Sequence, residues 1–569
     1  AAYCALAGVA AAFLAATPAS AQYAAGGGSA PASNSIAIGN SASATNVWSI
    51  ALGTQTVSSA QYSVAIGLNA SATGAGGAVA LGSGTVSNNI NTVAIGVNAS
   101  ATGAGASALG TFSVASGGNA TAVGVGATAS GSFAFAGGYQ SVASNTYSIA
   151  QGYQAQSIGL RGVALGYQAT QSGIDSIAQG TIATASSQNA IAIGFQSTAT
   201  AINSINIGAR TLAGSGATAQ GAIALGTDVT ANQQNTVAIG VLTKATGTVA
   251  TAVGNSAVAS GANASSFGSG TNAAGDNSLA AGVSASSAGA QSVALGNQAN
   301  AQSGAAIAVG AGATASGGVP GAGAIAMGIG AKAIATGSGS PIAIGASANA
   351  SGASGTALPG GFTSFEATAI GNSAVATGQG GTALGIASQA TGTWSTSLGL
   401  STAASADRST AVGVLSSATG ADSTSVGSQA KATGARAFAG GRSVTASGDD
   451  SVAIGATAVS QGASSTAIGA GAVTLDVNAI AIGTAAGADT ADAIAIGTSA
   501  YASGGKAVAI GADNVAYGDG AVAIGDPSYA SGTGAFTGGA NNIANSDGTA
   551  SATAANMANG AVAIGNSNK

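Results

Sequence analysis

The chain has no histidine and a single glutamate, Glu366, and only 4% of its residues are charged. Without histidine, and with acids that recur at no fixed spacing, it lacks the residues for general acid–base work or for a facing pair of carboxylates on a sugar chain. Cys4 is the only cysteine, which excludes a disulfide framework and a cysteine-ligated metal. Ten basic residues against 15 acidic ones, net charge −5, leave no phosphate-binding footprint, so nucleic acid is excluded as a partner. No charged residue precedes Arg161, and 11 of the 15 acids lie from Asp407 onward. The acids Asp449 and Asp450, Asp489 and Asp492, and Asp513, Asp519 and Asp526 form neither an EF-hand loop nor the calcium-solenoid motif, and are expected at solvated corners. No catalytic, cofactor or metal site is expected.

Glycine, at 95 residues, and hydrophobic residues, at 46%, are abundant, and they are strictly phased. The motif Ser-Val-Ala-Ile-Gly and its variants close on 36 glycines from Gly39 to Gly565, and 29 of the 35 intervals are 14 residues. A short period held this long predicts a β-solenoid with one coil per repeat, and the phased apolar residues exclude a disordered linker. Period-two alternation and glycine density exclude helix.

Counting from the closing glycine, positions −3 and −1 are mostly β-branched or leucine: Ile36 and Ile38, Val64 and Ile66, Val93 and Ile95. Residues two apart on a strand share a face, so these are expected to fill the roll as its core. Phe135, Phe438 and Phe536 stand at −3, and in each of those repeats −1 is glycine: Gly137, Gly440 and Gly538. A ring where its neighbour gives up all its volume is the compensation expected of two residues sharing one space.

Position −2 is alanine in 31 of 36 repeats, among them Ala37, Ala65, Ala94, Ala192, Ala238, Ala453 and Ala495. A position kept this small suggests a second backbone lying against it. Alanine at +3 and +5 and glycine at +7, as in Ala70, Ala72 and Gly74, are read as small inward residues of a flat, narrow roll with no room for a ligand.

Tyr139, Tyr153 and Tyr167 follow repeat glycines at a spacing of 14, and Phe195 holds the same place two coils later. They are expected to form an aromatic ladder along one edge. Such a ladder either anchors a protein or glycan partner or stabilises a coil corner. Gln151 and Gln179 take the usual core position −1 on either side of Leu165, where burial would demand hydrogen-bond partners.

The predicted layout begins with residues 1–21, an apolar stretch ending in Pro18-Ala19-Ser20-Ala21, read as a truncated signal peptide. A leader at 22–33 precedes repeats over 34–345. An insertion loop at 346–369 contains Pro359-Gly360-Gly361-Phe362. Repeats resume over 370–539, and 540–569 is read as a degenerate repeat with a truncated end.

The segments Asn34-Ser35-Ile36-Ala37-Ile38-Gly39 and Tyr62-Ser63-Val64-Ala65-Ile66-Gly67-Leu68-Asn69-Ala70-Ser71-Ala72-Thr73-Gly74 resemble the YadA-like head, or haemagglutinin, repeat of trimeric autotransporter adhesins, over roughly residues 34–569. The resemblance implies a left-handed parallel β-roll of about 36 fourteen-residue coils. It also implies a homotrimer around one axis, with the valine and isoleucine positions filling each roll and the small residue at −2 facing the axis. It further implies a secreted, surface-exposed adhesin head on the outer membrane of a Gram-negative bacterium, contacting host matrix protein, cell-surface glycan or another cell. Membrane attachment would come only through an anchor outside this chain. The alternatives are a passive surface fibre and an ice-binding solenoid. The latter needs paired threonine ladders, whereas threonine here recurs singly at +6, as in Thr73 and Thr102.

Overall fold

A computed structural model describes residues 22–318, 322–335, 339–352 and 366–569. The stretch read as a signal peptide, Cys4 and the Pro359–Phe362 segment lie outside the described residues. The chain divides into two compact units between Phe267 and Gly268. Each unit is a stack of parallel β-coils, so the chain is an all-β solenoid of about 36 coils.

Each regular coil has two short strands. The first covers positions −3 to −1, as in Ile36–Ile38, and the second covers +4 and +5, as in Ser43–Ala44. Each pairs in parallel with its counterpart one coil on: Ile36 with Ile50 and Ser43 with Val57 in the first unit, Ile480 with Ile494 and Val473 with Gly487 in the second. The Ile36 amide donates to the Ser49 carbonyl at 2.9 Å, and the same step repeats along the stack.

The repeat glycine is obligatory twice over. Gly67 has φ of 129°, and a Cβ there would sit 2.5 Å from the carbonyl oxygen of Gly82 in the next coil. Two further positions per coil, +2 and +9, turn through the left-handed region, as at Asn69 (59°) and Asn91 (54°). Asparagine, glutamine and glycine recur there, and asparagine and glycine are the residues that tolerate this conformation best.

The inside of the roll is mostly alanine, serine and threonine. Positions −4, −2, +3 and +5 point inward: Ser63, Ala65, Ala70 and Ala72 are all fully buried. The inward hydroxyls bond within the coil. Ser63 Oγ donates to the Ala60 carbonyl at 2.6 Å, and Thr92 Oγ1 to the Asn89 carbonyl at 2.7 Å.

This inverts the expected faces of the first strand. Ala37, Ala65, Ala94, Ala192, Ala238, Ala453 and Ala495 are at 0% exposure in the single chain, so they face the roll interior and not an axis between chains. Ile38, Ile66 and Ile95 are 39–40% exposed, and Ile36, Val64 and Val93 are half-buried, so these point outward and are not the roll core. The reason is width. The facing second strand contributes residues no larger than threonine at nearly every inward position, and the sheets close to a gap that admits little more than a Cβ from each side.

Phe135, Phe438 and Phe536 also lie on the outward face. Each does share one space with its glycine: a Cβ on Gly137, Gly440 or Gly538 would lie 2.8, 2.9 or 3.2 Å from the ring. Gln151 and Gln179 are exposed on the same face, so no burial cost attaches to them in the single chain.

The expected leader already builds a coil, because Tyr23–Ala25 pairs with Ile36–Ile38. Asn349–Ala350, inside the expected insertion loop, is a regular second strand paired with Val375–Ala376. No degenerate coil fills the interval from Gly539 to Gly565. Asn542–Ala544 and Val562–Asn566 are in register with the preceding coil, and the excess forms a loop around buried Asn556, whose Nδ2 reaches the Ser551 carbonyl at 3.1 Å.

Candidate functional site

With no chemistry-bearing cluster in the sequence, candidate sites are surfaces: the outward face of the first strand, the two left-handed corners, and the outward face of the second strand. Among the described residues no group of three or more histidine, cysteine, aspartate or glutamate side chains is placed to hold a metal. The acids considered for calcium are engaged otherwise where their bonds are seen. Asp450 pairs with Arg436, Asp489 accepts from the Tyr501 hydroxyl, and Asp492 accepts from Asn478 Nδ2 at 2.9 Å.

The first-strand face presents two large aliphatic or aromatic side chains in most coils. Ile38, Ile66 and Ile95 in the first unit and Ile454, Ile482 and Ile510 in the second stand more than one-third exposed. A soluble single chain rarely leaves a contiguous apolar strip of this extent uncovered. Gln151 and Gln179 interrupt it with polar groups, and Thr368, Thr382, Thr396, Thr410 and Thr424 replace valine or isoleucine at −3 over five successive coils.

At the +1 corner the expected aromatic ladder is present in part. Tyr139, Tyr153 and Tyr167 stack with centroids 5.1 Å apart and interplanar angles of 9° and 7°. Phe195 is exposed, but Thr181 separates its coil from that of Tyr167 and it stands outside the stack. Because the rings cover one another's faces, the ladder offers edges and hydroxyls to a partner.

Beside it runs a ladder the sequence reading missed. Gln168 Nε2 donates to Gln154 Oε1 and Gln154 Nε2 to Gln140 Oε1, both at 2.9 Å. The signal was available, since these glutamines are 14 apart and each directly follows one of the tyrosines.

The +9 corner carries most of the paired charge. Arg161 with Asp175, Arg408 with Asp422 and Arg436 with Asp450 are exposed fork-to-carboxylate pairs between successive coils, closing at 2.5–2.7 Å. In each pair the arginine hydrogen bond holds the carboxyl below the usual aspartate range. The same column holds a second aromatic stack, Phe133 on Tyr147 at 5.2 Å.

Along the second strand, side chains at +2 and +4 wall shallow grooves. One, of about 510 Å³, lies where residues 209–215 bulge out, and is lined by Leu212, Asp228, Leu242, Lys244 and Val258. Asp228 is 8% exposed and holds the bulge in place, accepting from the Thr211 hydroxyl at 2.6 Å and the Leu212 amide at 2.8 Å. The Thr211 hydroxyl bond is the main cause that lowers its pKa. A second groove, of about 500 Å³, includes Leu415, Gln429 and Lys431. A third, of about 360 Å³, is lined by Gln140, Gln154, Gln156, Gln168 and Thr170.

A family model described as the YadA head domain repeat (2 copies) matches residues 30–56, 58–85, 87–113, 115–141, 143–169, 172–197, 185–211, 217–243, 273–299, 363–388, 390–416, 418–443, 446–472, 477–500 and 502–528, well over half of the chain. No curated protein matches the chain at a significant level.

Proposed function

Since the chain belongs to the YadA head-repeat family, we propose that it is the head of a surface adhesin that works as a homotrimer, with the outward valine and isoleucine columns packed around the common axis. The observation that carries this reading is the apolar first-strand face, repeated coil after coil within each unit. Each aliphatic side chain covered there contributes on the order of 1 kcal/mol, and many coils add. The axis-facing residues are therefore Ile38, Ile66, Ile95 and their equivalents, in place of the alanines at −2. Three chains also bring Gln151 and Gln179 to the axis, where they find hydrogen-bond partners in their symmetry mates.

The surface left facing outward carries the tyrosine stack, the amide ladder and the second-strand grooves, and adhesion is assigned to it. The partners in this reading are matrix proteins, cell-surface glycans or other cells. The location is the outer surface of a Gram-negative bacterium, reached by secretion. No helix among the described residues is long and apolar enough to cross a membrane. The family is one of adhesins, and the role assigned to the chain is binding.

Light scattering of the purified chain, combined with attachment to immobilised matrix proteins and to cells, tests the proposal. A trimer that attaches through many weak equivalent contacts is expected, with little dependence on salt. Three chains carry about −15 in total (3 × −5), too little to drive attachment by ion pairing. A monomer, or a trimer that attaches to nothing, overturns the reading.

A further inference from the structure

The groove at Gln140, Gln154, Gln156, Gln168 and Thr170 differs from the other two in its chemistry: amides and a hydroxyl line it, and it holds no charged side chain. The other two each hold a lysine, Lys244 or Lys431. The nearest ionic groups in sequence, Arg161 and Asp175, neutralise each other at the +9 corner.

The middle amide of the ladder is half used, and the two end amides make one ladder bond each. A glutamine side chain has two N–H donors and an oxygen with two lone pairs. Gln154 spends one donor on Gln140 and one lone pair on Gln168, which leaves one N–H and one lone pair. The tyrosine stack beside it turns edges and hydroxyls outward, because its faces are occupied. The result is a fixed row of paired donors and acceptors rising by one coil at each step.

We propose that this groove binds an uncharged polysaccharide, a β-linked hexose chain lying along the stack. This rests on the reading of the protein as an adhesin and names a ligand class for it. Sugar hydroxyls are donors and acceptors at once, which is what a half-used amide ladder complements. One pyranose of an extended chain is about as long as one coil step is high, so successive sugars meet successive glutamines in phase. An extended peptide advances about 3.4 Å per residue and falls out of phase with coils spaced near 4.8 Å. The lining also offers no apolar pocket for its side chains. With no charge to neutralise, binding releases no counterions and is independent of salt.

The test is affinity electrophoresis of the full chain in gels containing hydroxyethylcellulose, with heparin gels as the anionic comparison and free cellohexaose as competitor. The wild type is expected to be retarded by hydroxyethylcellulose and not by heparin, at low and high salt alike, and released by cellohexaose. The double variant Gln154→Ala/Gln168→Ala is expected to weaken retardation about tenfold, as the loss of two ordinary hydrogen bonds implies. Tyr153→Phe, which removes only a hydroxyl, is expected to weaken it by less, and Gln429→Ala in the groove beside Lys431 to leave it unchanged. Circular dichroism of each variant establishes folding, and Gln154→Asn serves in place of the double variant if that one misfolds. Absence of retardation in the wild type, equal retardation of wild type and ladder variants, or competition by peptides and not by cellohexaose overturns the proposal. A wild type that attaches to cells without binding the polysaccharide overturns this inference alone, whereas loss of both removes the adhesin reading with it.

Discussion

Gln171 fills the space that a side chain at Gly162 would need: a Cβ on Gly162 would lie 1.9 Å from Gln171 Oε1. Gln171 stands at +5, where other regular coils carry alanine, serine or, at Thr474, threonine, and is fully buried inside the roll. Gly162 stands at −4, where nearly all other coils carry serine, threonine or alanine. The amide is satisfied throughout. Its oxygen accepts from Ser157 Oγ at 2.9 Å and the Gly159 amide at 3.2 Å, and its nitrogen donates to Ser176 Oγ at 2.6 Å and to the Gly173 carbonyl. Gly162→Ser alone is therefore expected to destabilise the first unit by about 1–3 kcal/mol through overpacking. Gln171→Ala with Gly162→Ser restores the ordinary coil and recovers most of that loss. Urea denaturation of the three chains measures it. A double variant no better than the single one contradicts the shared space.

Phe438 and Gly440 repeat this logic on the outside of the sheet. The ring lies along the strand, with Cε1 2.9 Å from where a Cβ on Gly440 would be. Gly440→Ile is expected to push the ring outward, and Gly440→Ile with Phe438→Val to rebuild the common pair. Because this face is proposed to meet two other chains, the single variant acts mainly on assembly, weakening the trimer by about 1–3 kcal/mol. Sedimentation across a dilution series reads the difference. Equal association of both variants shows that this coil takes no part in the interface.

The 14-residue period, the parallel stacking and the small residues at +3 and +5 were legible in the sequence, since each rests on spacing or size alone. The faces of the first strand were not. Size was read there by the rule that large apolar residues go inside, and that rule presumes an interior wide enough to hold them. Ala70 and Ala72, already recognised as lining a narrow roll, set a limit that Val64 and Ile66 exceed and Ala65 meets. The amide ladder was legible in principle, as Gln140, Gln154 and Gln168 keep the spacing of the tyrosines. The burial of Gln171 was not, because a glutamine is much larger than the residues that otherwise line +5, and the room for it is seen only when Gly162 is placed opposite it.

The inverted faces make a sharp prediction at two adjacent residues. Ala65 is at 0% exposure inside the roll and Ile66 is 39% exposed outside it. Ala65→Leu adds three heavy atoms to a gap with no space for them, and is expected to cost about 1–3 kcal/mol or more and to disturb β-structure in neighbouring coils. Ile66→Asp, repeated as Ile38→Asp and Ile95→Asp, leaves each roll intact and places like charges around the axis. The expected result is full β-signal by circular dichroism with the trimer lost by light scattering. The opposite pattern, with alanine variants dissociating intact rolls, restores the arrangement first read from the sequence.

The column Arg408, Asp422, Arg436, Asp450 alternates in sign at the +9 corner of successive coils, with bidentate pairs from 408 to 422 and from 436 to 450. Such pairs are exposed and individually weak, but their order matters in a chain of near-identical coils. If one coil looped out, the apolar contacts would re-form almost unchanged, while Arg408 would meet Arg436 if the coil of Asp422 were lost, or Asp422 would meet Asp450 if that of Arg436 were lost. Like charges directly opposite are destabilising, so the alternation disfavours that slip. Exchanging Asp422 and Arg436 (Asp422→Arg with Arg436→Asp) keeps composition and net charge but juxtaposes like charges. It is expected to lower refolding yield at low salt and to recover at high salt, where screening shortens the interaction. The pH dependence follows from the lowered carboxyl pKa values of Asp422 and Asp450, each caused chiefly by its arginine hydrogen bond. A depressed folded-state pKa stabilises above the unfolded value, about 3.9 for aspartate, and that contribution is lost as pH falls through the folded value. The melting difference between wild type and Arg408→Gln/Arg436→Gln should thus be present at neutral pH and vanish in acid below the ordinary aspartate range. A difference that persists there assigns the arginines a packing role and removes the electrostatic one.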